Sequence, residues 1–247
     1  MGVEMSNWVT FRCTVYDTGS IPSFIQKGYS IEYFKNVYEG AQSISNEEER
    51  QIIRWFFEQP LLKQIFYEEL RINQTLPFKL EVKEPIISVP NKKPGDIDIL
   101  ICDKDDPHHA IAMEAKRIKV TIEKRGYEKV NKIGDVKDAV LQANAMRDRG
   151  FFNSYLALFI EVDGREREET NFFFRGLSDQ NFKRVYDFPQ RSQLHDDIGV
   201  AFIEIVQPID RSINRSGMVC ICVDKKAKPL SQSTNLTNRI IEFCKTL

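Results

Sequence analysis

The chain has 247 residues, 42% hydrophobic and 29% charged, which supports one large folded domain, or one domain with an extension, and excludes a mainly disordered chain. With 35 Lys and Arg against 36 Asp and Glu the formal net charge is −1, so no whole-molecule basic field draws nucleic acid and any such surface has to be local. No run reaches the roughly 18 apolar residues of a membrane span, and the start MGVEMSNWVT has no secretory pattern and only a weak myristoylation match at Ser6. A soluble, cytoplasmic protein with no membrane partner is therefore expected.

Residues 1–45 alternate aromatic and polar positions around turn signals at Gly19, Pro22 and Gly40, and read as an N-terminal extension of strand or mixed form. From Ser45, SNEEERQIIRWFFEQ combines a capping residue, an acidic first turn and apolar spacing, the start of a helix that Pro60 should break. A second helix, LLKQIFYEELRIN, follows. Beyond Pro77 the pattern turns to short β-rich runs, KLEVKEPIISV, DIDILIC and AIAMEAKRIKV, a meander with the turn-rich DKDDPHH before its last strand. Residues 116–138 read as charged loop, and KDAVLQANAMRDRG as a helix stopped by Gly150. SYLALFIEVD suits a strand buried on both faces, GVAFIEIV and MVCICVD extend a sheet, and LTNRIIEFCKTL closes the chain as a short amphipathic helix. The fold class that follows is α/β, a mixed sheet with a central antiparallel hairpin and flanking helices, spanning residues 46–247.

Side chains alternate along a strand, so Asp96 and Asp98 share one face of DIDILIC, and Glu114 and Lys116 share one face of AIAMEAKRIKV. A hairpin centred near Asp106 sets Asp98 opposite Glu114 and Asp96 opposite Lys116. Like charges placed directly opposite each other are destabilising unless a cation neutralises them, and Mg²⁺ takes a few carboxylates plus waters.

PGDIDIL followed by AMEAKRI resembles the signature of the PD-(D/E)XK nuclease superfamily, with Asp98 as its aspartate and Glu114-Ala115-Lys116 as its (D/E)xK element. The resemblance covers roughly residues 60–160. It implies a restriction-endonuclease-like fold in which Asp98, Glu114 and the main-chain carbonyl of Ala115 bind Mg²⁺, for which Mn²⁺ can substitute, while Lys116 positions or activates water. It further implies a hydrolase acting on nucleic acid, DNA favoured over RNA, in a restriction, phage-defence or repair setting, with a homodimer or partner protein left open. On the second helix, Glu69 falls near the middle of the apolar arc, where a carboxylate needs a partner. Because the superfamily often has a glutamate on the helix before the core sheet, Glu69 is the nominee for a secondary metal or water ligand. Gln142 resembles a glutamine that some families carry on the helix after the E-x-K strand, although Met146 stands where their tyrosine would follow.

The Lys- and Arg-rich segment 116–137 suits a phosphate-tracking surface or simply a solvated face, and Tyr127 within it could stack on a base. His108 and His109 read as an exposed turn, and His195 with Asp196 and Asp197 as a loop. The five cysteines read as reduced core thiols, with Cys220 and Cys222 on one strand face. Two other functions compete. Asp96-Ile97-Asp98 resembles the aspartate pair of a nucleotidyltransferase, but no Gly-Ser stands close upstream and Glu114-x-Lys116 goes unexplained. A non-enzymatic nucleic-acid-binding or scaffolding module on a nuclease fold is the other alternative.

Overall fold

An unbroken apolar strand needs cover on both faces and neighbours on both edges, and SYLALFIEVD has them. The computed structural model describes residues 12–17, 49–83, 85–87, 95–122, 128–163, 177, 179–207 and 216–245. Its strands are β1 (Arg12–Asp17), β2 (Phe78–Val82), β3 (Ile97–Ile101), β4 (Ile111–Ile122), β5 (Glu128–Asn131), β6 (Asn153–Asp163), β7 (Gly199–Gln207) and β8 (Ser216–Lys225). They form a mixed sheet whose path runs β1-β8-β7-β6-β4-β3-β2, with β5 pairing β4 off that path. Strand β6 is central and parallel to both β4 and β7, while β2, β3 and β4 form the expected antiparallel meander.

Helices α1 (Glu49–Glu58) and α2 (Pro60–Leu70) cover one face. Pro60 starts α2 at its first position, where the missing N–H costs nothing, and so separates the two helices as expected. Phe56 packs edge-to-face on Phe57, Phe66 and Phe159 of β6, with centroids 5.4, 5.8 and 5.5 Å apart. Each such fully buried ring contributes about 1.5–3 kcal/mol by area.

On the other face, the alternate β6 residues Leu156, Leu158, Ile160 and Val162 meet helix α3 (Val136–Asp148) and helix α4 (Asp179–Tyr186), which leads into the short α5 (Phe188–Arg191). Helix α6 (Thr234–Cys244), capped by the Ser233 hydroxyl, packs through Leu236 and Ile240 near the end of β3. Gly150 follows α3 with φ 83°, the left-handed stop its position foretold.

Three expectations change. Residues 116–138 are not a loop: β4 runs on to Ile122, β5 returns antiparallel to it, and α3 begins at Val136. The many charges masked an alternation in which Ile118 and Val120 are buried and the intervening residues carry the charge. In the N-terminal segment, β1 pairs with β8 and so belongs to the same sheet; the rest of residues 1–45 lies outside the described residues. Not all cysteines are thiols: Cys220 is disulfide-bonded, and the residue opposite it in the β1–β8 register is Cys13.

Candidate active site

The site begins as a gap in hydrogen bonding along one edge of β4. Strand β3 pairs with that edge through Ile101↔Ile111, Leu100↔Ala112 and Ile99↔Met113, and β5 takes it up again from Lys119↔Asn131. Between the two ladders, Glu114 to Ile118 have no strand partner on that edge among the described residues. Backbone donors left inside a protein need acceptors, and two carboxylates supply them. Asp98 Oδ2 accepts the N–H of Ala115 at 2.8 Å, and Glu49 Oε2 accepts the N–H of Arg117 at 2.6 Å.

One step beyond Ile99↔Met113, the same register sets Asp98 opposite Glu114, the pairing expected from the hairpin. Glu114 is only 4% exposed, and its Oε1 accepts from Gln142 Nε2 at 3.0 Å, which brings α3 into the site. Burial first, then the charge of Asp98 and the hydrogen bond the two acids share, push the Glu114 carboxyl up to about 10; Lys116 opposes the rise. Burial also raises Asp98 to about 6, against the Ala115 N–H, which favours its ionised form. Both carboxyls are thus displaced upward, Glu114 further than Asp98, because two buried acids in contact disfavour a second negative charge. Lys116 Nζ lies 3.2 Å from Glu49 Oε1, the two side chains 23% and 33% exposed. Five side chains from α1, β3, β4 and α3 thus converge: Glu49, Asp98, Glu114, Lys116 and Gln142.

Glu69 is not among them, a correction to its nomination. Helix α2 is turned so that Leu62, Ile65, Phe66, Tyr67 and Leu70 are its buried side. Glu69 is half-buried, its charge acting on Cys222 and Lys226 at β8, three strands away from β4. The helical glutamate beside the E-x-K strand is Glu49, which sequence reasoning took only as part of an acidic first turn. The available signal was its position: the first turn of a helix whose Ile52, Ile53, Phe56 and Phe57 form the core with Ala115 has to begin near β4.

Asp96 pairs with Lys83 at 3.8 Å, and Lys116 pairs with Glu49 rather than with Asp96. Glu81 stands opposite Asp98 in the β2–β3 register, yet its backbone is left-handed (φ 54°), and its carboxylate meets Arg50 at 3.1 Å. A cavity of about 210 Å³ opens here, lined by Glu49, Arg50, Ile53, Leu80, Glu81 and Asp98. Tyr127 lies outside the described residues. His108 and His109 form the exposed turn expected, and His195, Asp196 and Asp197 the expected loop, where Asp197 accepts from Arg147 at 2.7 Å.

Among the described residues, no three His, Cys, Asp or Glu side chains form a ready-made metal cage. Both oxygens of Glu49 are engaged, by Lys116 and Arg117. The groups that could hold a hard cation are Asp98, Glu114 and the carbonyl of Ala115, which a strand residue presents to the same edge as its N–H. No family model matches the chain, and neither a curated protein nor a solved structure matches it.

Proposed function

We propose that this chain is a metal-dependent nuclease of the PD-(D/E)XK kind, with a restriction-endonuclease-like sheet, acting on DNA in preference to RNA. The observation that carries the reading is the convergence of Asp98, Glu114, Lys116 and Gln142 on the unpaired stretch of β4. Two buried carboxylates in contact, both displaced upward, are a site in which a divalent cation would replace a proton and remove the repulsion. Asp98, Glu114 and the Ala115 carbonyl would hold Mg²⁺, a set that suits an ion which keeps several of its waters. When bound, the metal supplies Lewis-acid activation of the phosphodiester and of a water.

The chain's own residues do the rest. Gln142 fixes the orientation of Glu114. Glu49 holds the Lys116 ammonium at the β4 gap, where its charge can stabilise the negative charge that develops on the reacting phosphate. Lys119, Lys129, Lys132 and Lys137 on the neighbouring hairpin and helix start supply positive charge for a phosphate backbone. The preference for DNA and a restriction, phage-defence or repair setting rest on the family resemblance.

One observation favours a second reading, a nuclease-fold module that binds nucleic acid without cutting it. The acids satisfy one another: Glu114 shares a hydrogen bond with Asp98, and Glu49 is tied to Lys116. A nucleotidyltransferase is disfavoured, because it leaves Glu114 and Lys116 without a role and no Gly-Ser stands close upstream of Asp96.

The test is incubation of single-stranded DNA, duplex DNA and RNA with Mg²⁺ or Mn²⁺, with Asp98→Ala and Lys116→Ala beside the wild type. Cleavage that both substitutions abolish is the expected result. Cleavage that survives both overturns the site, and salt-dependent binding without cleavage of any substrate assigns the binding module instead.

A further inference from the structure

Away from the site, the cysteines divide into three chemical states. Cys220 is already bonded, Cys222 is buried in β8, and Cys102 and Cys244 are thiols whose sulfurs lie 3.6 Å apart. These two are 142 residues apart in sequence, so the contact is made by the fold alone. Cys102 directly follows β3 and is 2% exposed, while Cys244 ends α6 and is half-buried. They belong to one apolar cluster with Met146, Phe151, Leu236 and Ile240, without a metal ligand set around them among the described residues.

We propose that Cys102 and Cys244 are a reversible dithiol–disulfide modification site, which a low-molecular-weight disulfide such as glutathione disulfide oxidises, tying the last turn of α6 to the end of β3. Van der Waals contact between two sulfurs becomes a bond when they approach by roughly 1.5 Å, a change that side-chain rotation at a helix end can supply. The difference in access sets the order of events. Cys102 is enclosed and burial raises its thiol to about 12, so the half-buried Cys244 is the group that meets the oxidant.

The Cys244 thiolate attacks one sulfur of glutathione disulfide, forming a mixed disulfide and releasing one glutathione, which takes up the proton. Cys102 then attacks Cys244 Sγ, its proton leaving with the second glutathione. The protein has lost two hydrogens and two electrons, and the oxidant has become two thiols. The bond closes a very long loop, and it tethers the strand on which Asp98 stands four residues before Cys102. The proposal is independent of the nuclease reading.

The experiment treats the full chain with glutathione disulfide and follows intact mass, the thiol count in denaturant and a non-reducing peptide map. Wild type is expected to lose two hydrogens and two titratable thiols, to yield a Cys102–Cys244 cross-linked peptide, and to revert with dithiothreitol at a dose that spares Cys220. Oxidation should raise the melting temperature by roughly 5–10 °C. Cys102→Ser should stop at a glutathione adduct on Cys244, and Cys244→Ser should leave Cys102 a thiol. A glutathione adduct that persists on Cys244 in the wild type, a link from either residue to Cys222, or an unchanged thiol count each overturns it.

Discussion

Replacing Glu114 by glutamine should remove most of the pH dependence of stability between about pH 7.5 and about pH 8.5. A carboxyl of ordinary strength 4.5, raised to about 10 in the folded protein, binds a proton on folding at every pH between those values. The contribution is fully present below the unfolded value and is lost as pH rises toward the folded one, at about 1.4 kcal/mol per pH unit. Asp98 and Glu204 are also raised, to about 6 and about 7, so their losses are nearly complete by about pH 7.5. From about pH 7.5 to about pH 8.5, below the range where the buried thiols Cys102 and Cys222 contribute, Glu114 should cost the wild type about 1.4 kcal/mol.

In the Glu114→Gln variant the carboxamide would keep an acceptor for Gln142 and a donor toward Asp98, and it does not titrate in that range. The assay is urea unfolding of both proteins at several pH values in chelator, with stability read by linear extrapolation. Wild type should fall by about one proton's worth, and Glu114→Gln should stay nearly flat. Parallel curves would refute the protonated acid at Glu114. With Mg²⁺ added, wild type should gain stability increasingly as pH rises, because the metal needs the ionised carboxylate, and the variant should gain far less.

Two further substitutions probe the surroundings. Glu49→Gln keeps an acceptor for the Arg117 N–H but loses the charge facing Lys116; kcat/KM for cleavage should drop about tenfold with little change in Tm, and an unchanged rate would reduce Glu49 to an edge cap. Arg117 Nη1 lies 3.7 Å from Glu161 Oε2 with both side chains buried, so Arg117→Met should cost about 3–5 kcal/mol in urea unfolding. Arg117→Met with Glu161→Leu should recover most of that loss, since it removes the stranded charge, and failure to recover would mean that the guanidinium holds β4 in some other way.

What the sequence made legible was local and periodic. The two-residue repeat set Glu114 and Lys116 on one face, and the short hairpin set Asp98 opposite Glu114, because both follow from strand geometry and one turn. Gln142 came from the family resemblance alone, since β5 and a 3-10 turn separate its helix from β4. Glu49 and Glu69 show the limit. Helical projection identified an acid beside an apolar arc, but it carries no information on which strand that arc covers, and α2 turned out to lie against β8. The segment after Lys116 has the composition of a loop because its charges alternate with the buried Ile118 and Val120, and one of those charges, Arg117, is itself buried beside Glu161. The disulfide at Cys220 was equally illegible, because cysteine spacing does not reveal which segments the fold brings together.

The unpaired stretch of β4 has a consequence for assembly as well as chemistry. A strand edge with open donors is a template onto which another strand can add. Here the N–H groups of Ala115 and Arg117 are covered by side chains rather than by a neighbouring strand. The acids of the site thus act as edge guards, keeping a foreign strand from completing the sheet between β3 and β5. Alanine at Asp98 or Glu49 uncovers one donor each, and the double variant uncovers both, so self-association should rise in that order.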